Sequence, residues 1–177
     1  MKLLFMMLLC ISYISWSMNF DYESSQNKDA FLEQQKLLKA DRDKIIKVIE
    51  NESKAFWDKD FESWANYWAH EPYIRTMGWW ARGGITVVNG WEERSARTEA
   101  HMKNNPKPNP QNVRRENINM RIYQDAAWVT FDQYGNDTGE PDMDMPGLSR
   151  ETRFLEKHNG QWKIVYVGWL LEEGEGN

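Results

Sequence analysis

The spacing of apolar residues along this chain changes from a helical to a strand period. From about Asp29 to Trp57, Leu37, Leu38, Ile45, Ile46, Ile49 and Phe56 recur at steps near three and four with no Gly or Pro between them, which predicts a helix. A second helix is predicted from the N-cap Asp60 through FESWANYWAH to Pro72, with Phe61, Trp64, Ala65 and Trp68 on one face. YIRTMGWW and ITVV read as strands. WEERSARTEAHMKN reads as a third helix, with Glu92 and Glu93 in the first turn, where negative charge complements the helix dipole. After the loop NNPKPNPQN the period falls to two. VRRENINMRIY sets Ile118, Met120 and Ile122 against Asn117, Asn119 and Arg121. AAWVTFDQY sets Val129 and Phe131 against Thr130 and Asp132, and ETRFLEKH and QWKIVYVGWL form a hairpin about Asn159-Gly160.

Helices followed by a meandering, mainly antiparallel sheet predict an α+β domain with the helices packed on one face. A curved sheet with helices over its concave face encloses a cone, and side chains fill the wide end of a cone poorly, so a pocket is expected. The chain has 177 residues, room for one such domain. Residues 1–17 read as a signal peptide, with Lys2, an apolar run, and Ser15 and Ser17 ahead of a cut near Met18. An uncleaved anchor and a lipid on Cys10 are the alternatives. Residues 18–40 are a flexible leader and the start of the first helix, residues 41–171 the domain, and residues 172–177 an acidic tail.

The expected location is therefore export, periplasmic or secreted, with no membrane contact after signal removal. Cys10 is the only cysteine, so the mature chain has no disulfide, thiol nucleophile or Cys-based metal site. A net charge of −5 argues against binding nucleic acid. No HExxH, GxSxG or phosphate-binding glycine loop occurs. Asp137, Glu140, Asp142 and Asp144 lack the EF-hand pattern and read as a solvated loop, so neither metal nor cofactor is expected. Asn51 and Asn136 head glycosylation sequons.

The order of elements, together with particular residues, resembles the nuclear transport factor 2-like superfamily over roughly residues 40–170. Within it the chain is most similar to the SnoaL-like group and the association domain of calcium/calmodulin-dependent kinase II. The residues that carry this are DFESWANYW, Asn89-Gly90-Trp91-Glu92-Glu93, Gln124 to Val129 and, above all, ETRFLEKHNGQWKIVYV. The resemblance implies a cone-shaped domain with a pocket, usually dimeric through the outer face of the sheet. It implies no single chemistry, since the superfamily includes isomerases, dehydratases, cyclases, transport adaptors and oligomerisation modules. It places Arg153 inside the pocket. Many relatives carry a His and then a Ser where this chain has Gly168 and Leu170, which counts against acid–base chemistry there and leaves room beside Arg153.

With Arg153 inward, strand alternation turns Trp162, Ile164, Tyr166 and Gly168 inward, along with Ala127, Val129, Phe131 and Gln133. Trp128 and Trp169 fall outward and suggest a dimer face. A buried arginine needs a fixed acid, for which Glu71 and Asp132 are candidates, or an anionic ligand. The first reading is an exported homodimeric binding module whose pocket takes an apolar or aromatic molecule bearing an anionic group. Arg153 would hold the charge, Trp68, Trp80 and Tyr166 would form walls, and Phe131 and Gln133 would face the same space. The alternatives are an enzyme of the isomerase, dehydratase or cyclase type, using Asp132 or His101, and a pure dimerisation module. Asp132 has outward parity, which counts against it. His70 ends the second helix and reads as structural.

Overall fold

The computed structural model describes residues 2–80, 83–110, 112–135 and 148–172. The acidic loop with Asp137, Glu140, Asp142 and Asp144, the sequon at Asn136 and residues 173–177 of the tail lie outside the described residues. The chain divides into two compact units, Met1–Asp41 and Arg42–Asn177. In the first, Phe31, Leu32, Leu37 and Leu38 are exposed. Helix α1 runs Lys2–Asp58 and so takes in residues 18–27, which were expected to be a leader without regular structure.

The second unit holds the rest of α1 and every other element. Along α1 the buried residues are Ile45, Ile49, Glu52 and Ala55, spaced four, three and three, so one stripe of the helix faces the core. Helix α2 is short, Phe61–Asn66, and opens on Asp60, whose carboxylate accepts the Ser63 amide at 3.0 Å. It stops before Trp68 because Trp68 leaves the helix to bridge Ile164 of the sheet. Helix α3 is Gly90–Asn104. Its N-cap Asn89 makes no side-chain cap. Instead the Glu93 carboxylate, one turn into the helix, accepts the Asn89 amide at 3.0 Å.

Six strands form one curled, unclosed, mainly antiparallel sheet: β1 Arg75–Trp80, β2 Gly84–Asn89, β3 Arg114–Ile122, β4 Ala126–Tyr134, β5 Leu148–His158 and β6 Gln161–Glu172. Their order is β2-β1-β6-β5-β4-β3, with β1 and β6 the parallel pair. The β5–β6 hairpin turns at Asn159 and Gly160, both with positive φ (51° and 77°), the geometry of a tight two-residue turn that Asn-Gly adopts readily. The core lies between the helices and one face of this sheet, around Trp64, Trp68, Ile45, Ile49, Val129, Leu155 and Ile164.

Two irregularities set which side chains reach that core. Between Phe154 and Leu155 the β5–β6 register shifts: Leu155 pairs with Ile164 but Phe154 pairs with Tyr166, leaving Val165 as the extra residue. Between Glu116 and Asn119 the β3–β4 register shifts in the same way, and Asn117 takes φ 53°. A bulge reverses the alternation beyond it. Trp162 and Ile164 face inward as expected, but Val167 and Trp169 then follow them, opposite Arg153 and Glu151, while Tyr166 and Gly168 turn to the outer face. The expected inward Tyr166 and outward Trp169 are both corrected by this one extra residue.

Candidate functional site

The inner face of the sheet is unusually charged for a core. Arg153 and Glu151 are buried neighbours on β5, and Arg153 Nη1 donates to Glu151 Oε2 at 2.6 Å and to the Thr152 carbonyl at 3.1 Å. Ser149 Oγ donates to the other Glu151 oxygen at 2.6 Å. The fixed acid for Arg153 is thus Glu151, neither Glu71 nor Asp132. These two residues stand two apart on one strand, so strand alternation puts them on the same face. Asp132 is on the outer face, where it accepts from Asn117 at 2.7 Å and pairs with Arg150 at 2.8 Å. Those two hydrogen bonds hold its carboxyl below the usual range.

A second buried acid sits on α1. Glu52 Oε1 accepts the indole N–H of Trp64 at 2.7 Å and of Trp68 at 3.0 Å. Arg94 of α3 lies over both rings, 5.2 and 5.0 Å from their centroids. Burial pushes its guanidinium down to about 10, with Glu52 opposing and Arg153 adding to the fall. Arg115 of β3 lies 5.7 Å from the Phe131 centroid, and Arg153 lies 5.5 Å from the same ring. Burial lowers Arg115 as well, and Arg153 adds to the effect.

Three guanidinium groups therefore converge on one interior. The Nε of Arg94, of Arg115 and of Arg153 is in each case buried without a hydrogen-bond partner, as is Gln133 Oε1 on the same face. Of the two buried carboxylates among the described residues, Glu151 is engaged by Arg153 and Glu52 by the two indoles. Arg115 has no ion pair among the described residues. Against these three guanidinium groups stand the two buried carboxylates, and the exposed Glu50 of α1 adds a third negative charge near Arg115.

Beside Arg115 is a cavity of about 130 Å³, lined by Ile46, Ile49, Glu50, Val113, Arg115, Ile118 and Phe131. The β3 bulge accounts for it: Ile118 falls within the register shift, where β3 bends and its pairing with β4 is interrupted. Of the residues expected to bind a ligand, only Phe131 lines this cavity. Arg153, Trp68 and Gln133 are buried on the same side of the sheet, with Trp68 fixed to Glu52. Trp80 is 40 % exposed at the end of β1, folded so closely over the β1–β2 turn that a side chain on Gly83 would overlap its ring.

Tyr166 lies over Gly168 on the outer face, where a Cβ on that glycine would come within 2.9 Å of its hydroxyl. The space left by Gly168 is therefore taken by Tyr166 and does not open beside Arg153. Trp169 packs over Gly78, whose missing Cβ would sit 2.0 Å from the indole. That close approach explains Gly78 next to tryptophans. Glu52, Arg94 and Arg115 escaped the sequence reading. Only Glu52 carried a signal, as an acid on the stripe that continues Ile45 and Ile49, whereas Arg94 and Arg115 stand in polar stretches, WEERSART and VRRENI.

The outer face carries a trough of about 650 Å³. Cross-strand registers line Gly168, Thr152 and Thr130 along its floor. Trp79, Leu170 and the Arg150–Asp132 pair form one side. Tyr166 lines it on the other, and the cross-strand row Tyr166–Phe154–Trp128 continues the outer face beyond the trough. Of the acid–base candidates, Asp132 lines this trough. His101 is stacked on Phe56, with centroids 5.4 Å apart, and neither residue lines the inner cavity. His70 Nε2 donates to the Ala65 carbonyl at 3.0 Å and the ring stacks on Trp91, a structural placement. Among the described residues no group of three or more potential metal ligands occurs, and no helix is long and apolar enough to cross a membrane.

Comparison with known proteins gives the fold independently. A model of the SnoaL-like domain matches residues 45–168. An NTF2-like protein of unknown function from Pseudomonas putida is 17 % identical, with a TM-score of 0.60 over 77 % of this chain and 90 % of its own. A Nostoc punctiforme protein of unknown function with a cystatin-like fold is 16 % identical, with a TM-score of 0.58 over 76 % and 93 %. The association domain of the Caenorhabditis elegans calcium/calmodulin-dependent kinase II is 20 % identical, with a TM-score of 0.54 over 74 % and 95 %. No curated protein matches the chain in sequence.

Proposed function

The chain belongs to the SnoaL-like family, and from that premise we propose that it is an exported binding module whose interior takes a small apolar molecule bearing one anionic group. The observation that carries this reading is Arg115: a guanidinium with no ion pair among the described residues, on the wall of a cavity otherwise mostly apolar. Apolar walls supply affinity and one charge-assisted contact supplies orientation. Arg115 replaces Arg153 as the clamp, because Glu151 already neutralises Arg153. The acid–base reading is less well supported, since Asp132 and His101 stand away from this cavity.

Export rests on the apolar run that follows Lys2. Homodimerisation through the outer face rests on the exposed Trp79, Trp128, Ile85 and Leu170, and on the likeness to an association domain. Trp128 would belong to that interface. Trp169 would not, since it lies on the inner face.

The test is isothermal titration of the mature protein with benzoate and 4-methylpentanoate, repeated on Arg115→Gln. Binding by the wild type that falls at least about tenfold in the variant is the expected result. Equal affinity in Arg115→Gln, or heat from neither ligand nor from L-leucine, would refute the reading.

A further inference from the structure

The same cavity carries a second charge, and the combination narrows the ligand. Resting on the binding reading above, we infer that the occupant is a zwitterion: a free α-amino acid with a small apolar side chain. Two charged side chains line the cavity, and they have opposite signs. Arg115 comes from β3 and Glu50 from α1, next to the buried Ile49. Neither forms an ion pair among the described residues, although each lies within electrostatic range of the other. The remaining nearby acids are engaged, Glu151 by Arg153 and Ser149, and Glu52 by the two indoles.

Opposite charges on the lining of one largely apolar cavity are the complement of a molecule with the reverse arrangement. A carboxylate at Arg115 gains a charge-assisted contact that its geometry suits. A plain carboxylic acid, however, brings its negative charge toward Glu50. A plain amine brings its positive charge toward Arg115. An α-amino acid presents carboxylate and ammonium on adjacent atoms and so satisfies the arginine and the glutamate together. Its side chain then meets Ile46, Ile49, Val113, Ile118 and Phe131.

Size points the same way. The cavity holds about 130 Å³, slightly less than the ~150 Å³ apolar cavity that accepts benzene. A valine, leucine or isoleucine side chain suits that space. Glycine leaves the walls unused, and tryptophan is too large.

The experiment compares three probes that differ only in charge, L-leucine, 4-methylpentanoate and 3-methylbutylamine, titrated calorimetrically into the full chain and into Glu50→Gln. Glu50 is exposed on a helix, so this variant keeps the fold. Leucine is expected to bind the wild type at least about tenfold more tightly than either single-charge analogue. In Glu50→Gln leucine and 4-methylpentanoate are expected to come within about threefold of each other. If 4-methylpentanoate matches leucine on the wild type and is lost in Arg115→Gln, the zwitterion fails and the anion reading stands. If leucine is preferred but Glu50→Gln leaves the preference unchanged, the assignment to Glu50 fails. If none of the three binds, both readings fail.

Discussion

Glu52 shows how much one side chain can hold in place. It sits on the core stripe of α1, between Ile49 and Ala55, and receives two indole N–H groups while balancing Arg94. Truncation by Glu52→Ala leaves those donors without an acceptor and the Arg94 guanidinium without its neighbouring negative charge, a loss on the order of 3–5 kcal/mol. Glu52→Gln keeps a carbonyl oxygen for the indoles and is expected to cost clearly less. Urea denaturation of both variants checks the order, and equal losses would mean the carboxylate's charge is what matters. His101 gives a pH prediction. Burial, then the charges of Lys59 and Arg94, push its imidazole below the ordinary 6.5. Between the folded and unfolded values the unfolded chain binds more protons, so stability is full above about pH 6.5 and falls as the pH drops toward the folded value. His101→Phe keeps the stack on Phe56 and is expected to flatten the melting temperature between pH 5 and 7. An unchanged slope would assign the acid sensitivity to other groups.

At the scale of elements, the sequence disclosed what depends on period and little of what depends on irregularity. All three helices and six strands were legible from apolar spacing, and the Asn159-Gly160 turn from its two residues. The N-cap at Asp60 was legible too, and Asp60→Ala is expected to cost about 1 kcal/mol in thermal or chemical denaturation. The bulges were not legible. Nothing in QWKIVYVGWL marks Val165 as the extra residue, because an apolar run reads the same in either phase. Everything after it inverted, which is why Tyr166 and Trp169 exchanged faces. The site suffered most, since its charged members interrupt helix and strand patterns singly and from three different elements. Gly78 tests the packing that the bulge creates. A methyl group there would sit 2.0 Å from the Trp169 ring, so Gly78→Ala must displace the indole. We expect a loss of about 1–3 kcal/mol and a shift in tryptophan emission. Wild-type stability in this variant would show that Trp169 does not need its place over β1.

The unit Arg42–Asn177 presents one face that its core does not use. Across the outer sheet, Ile85, Trp79 and Leu170 are 77, 43 and 58 % exposed, with Trp128 at 42 % on the far side of the Gly168–Thr152–Thr130 floor. Large apolar groups flanking a floor of small ones make a surface that can be filled only from outside. A second copy is the economical filler, because one face matched to itself closes a two-fold dimer without leaving a new edge. A stable contact of that kind buries about 800 Å² on each copy. Thr152 lies at the centre of the floor and points outward, so Thr152→Arg places a long cation where the partner would sit while leaving the inner face untouched. Sedimentation velocity is expected to show a wild-type dimer and a monomeric Thr152→Arg. The variant should still bind the carboxylate probes with wild-type affinity, because the inner cavity is on the other side of the sheet. A monomeric wild type would remove the dimer from the proposal. A variant that dissociates and also loses its ligand would show that the two faces of the sheet are coupled, and that assembly helps hold the interior open.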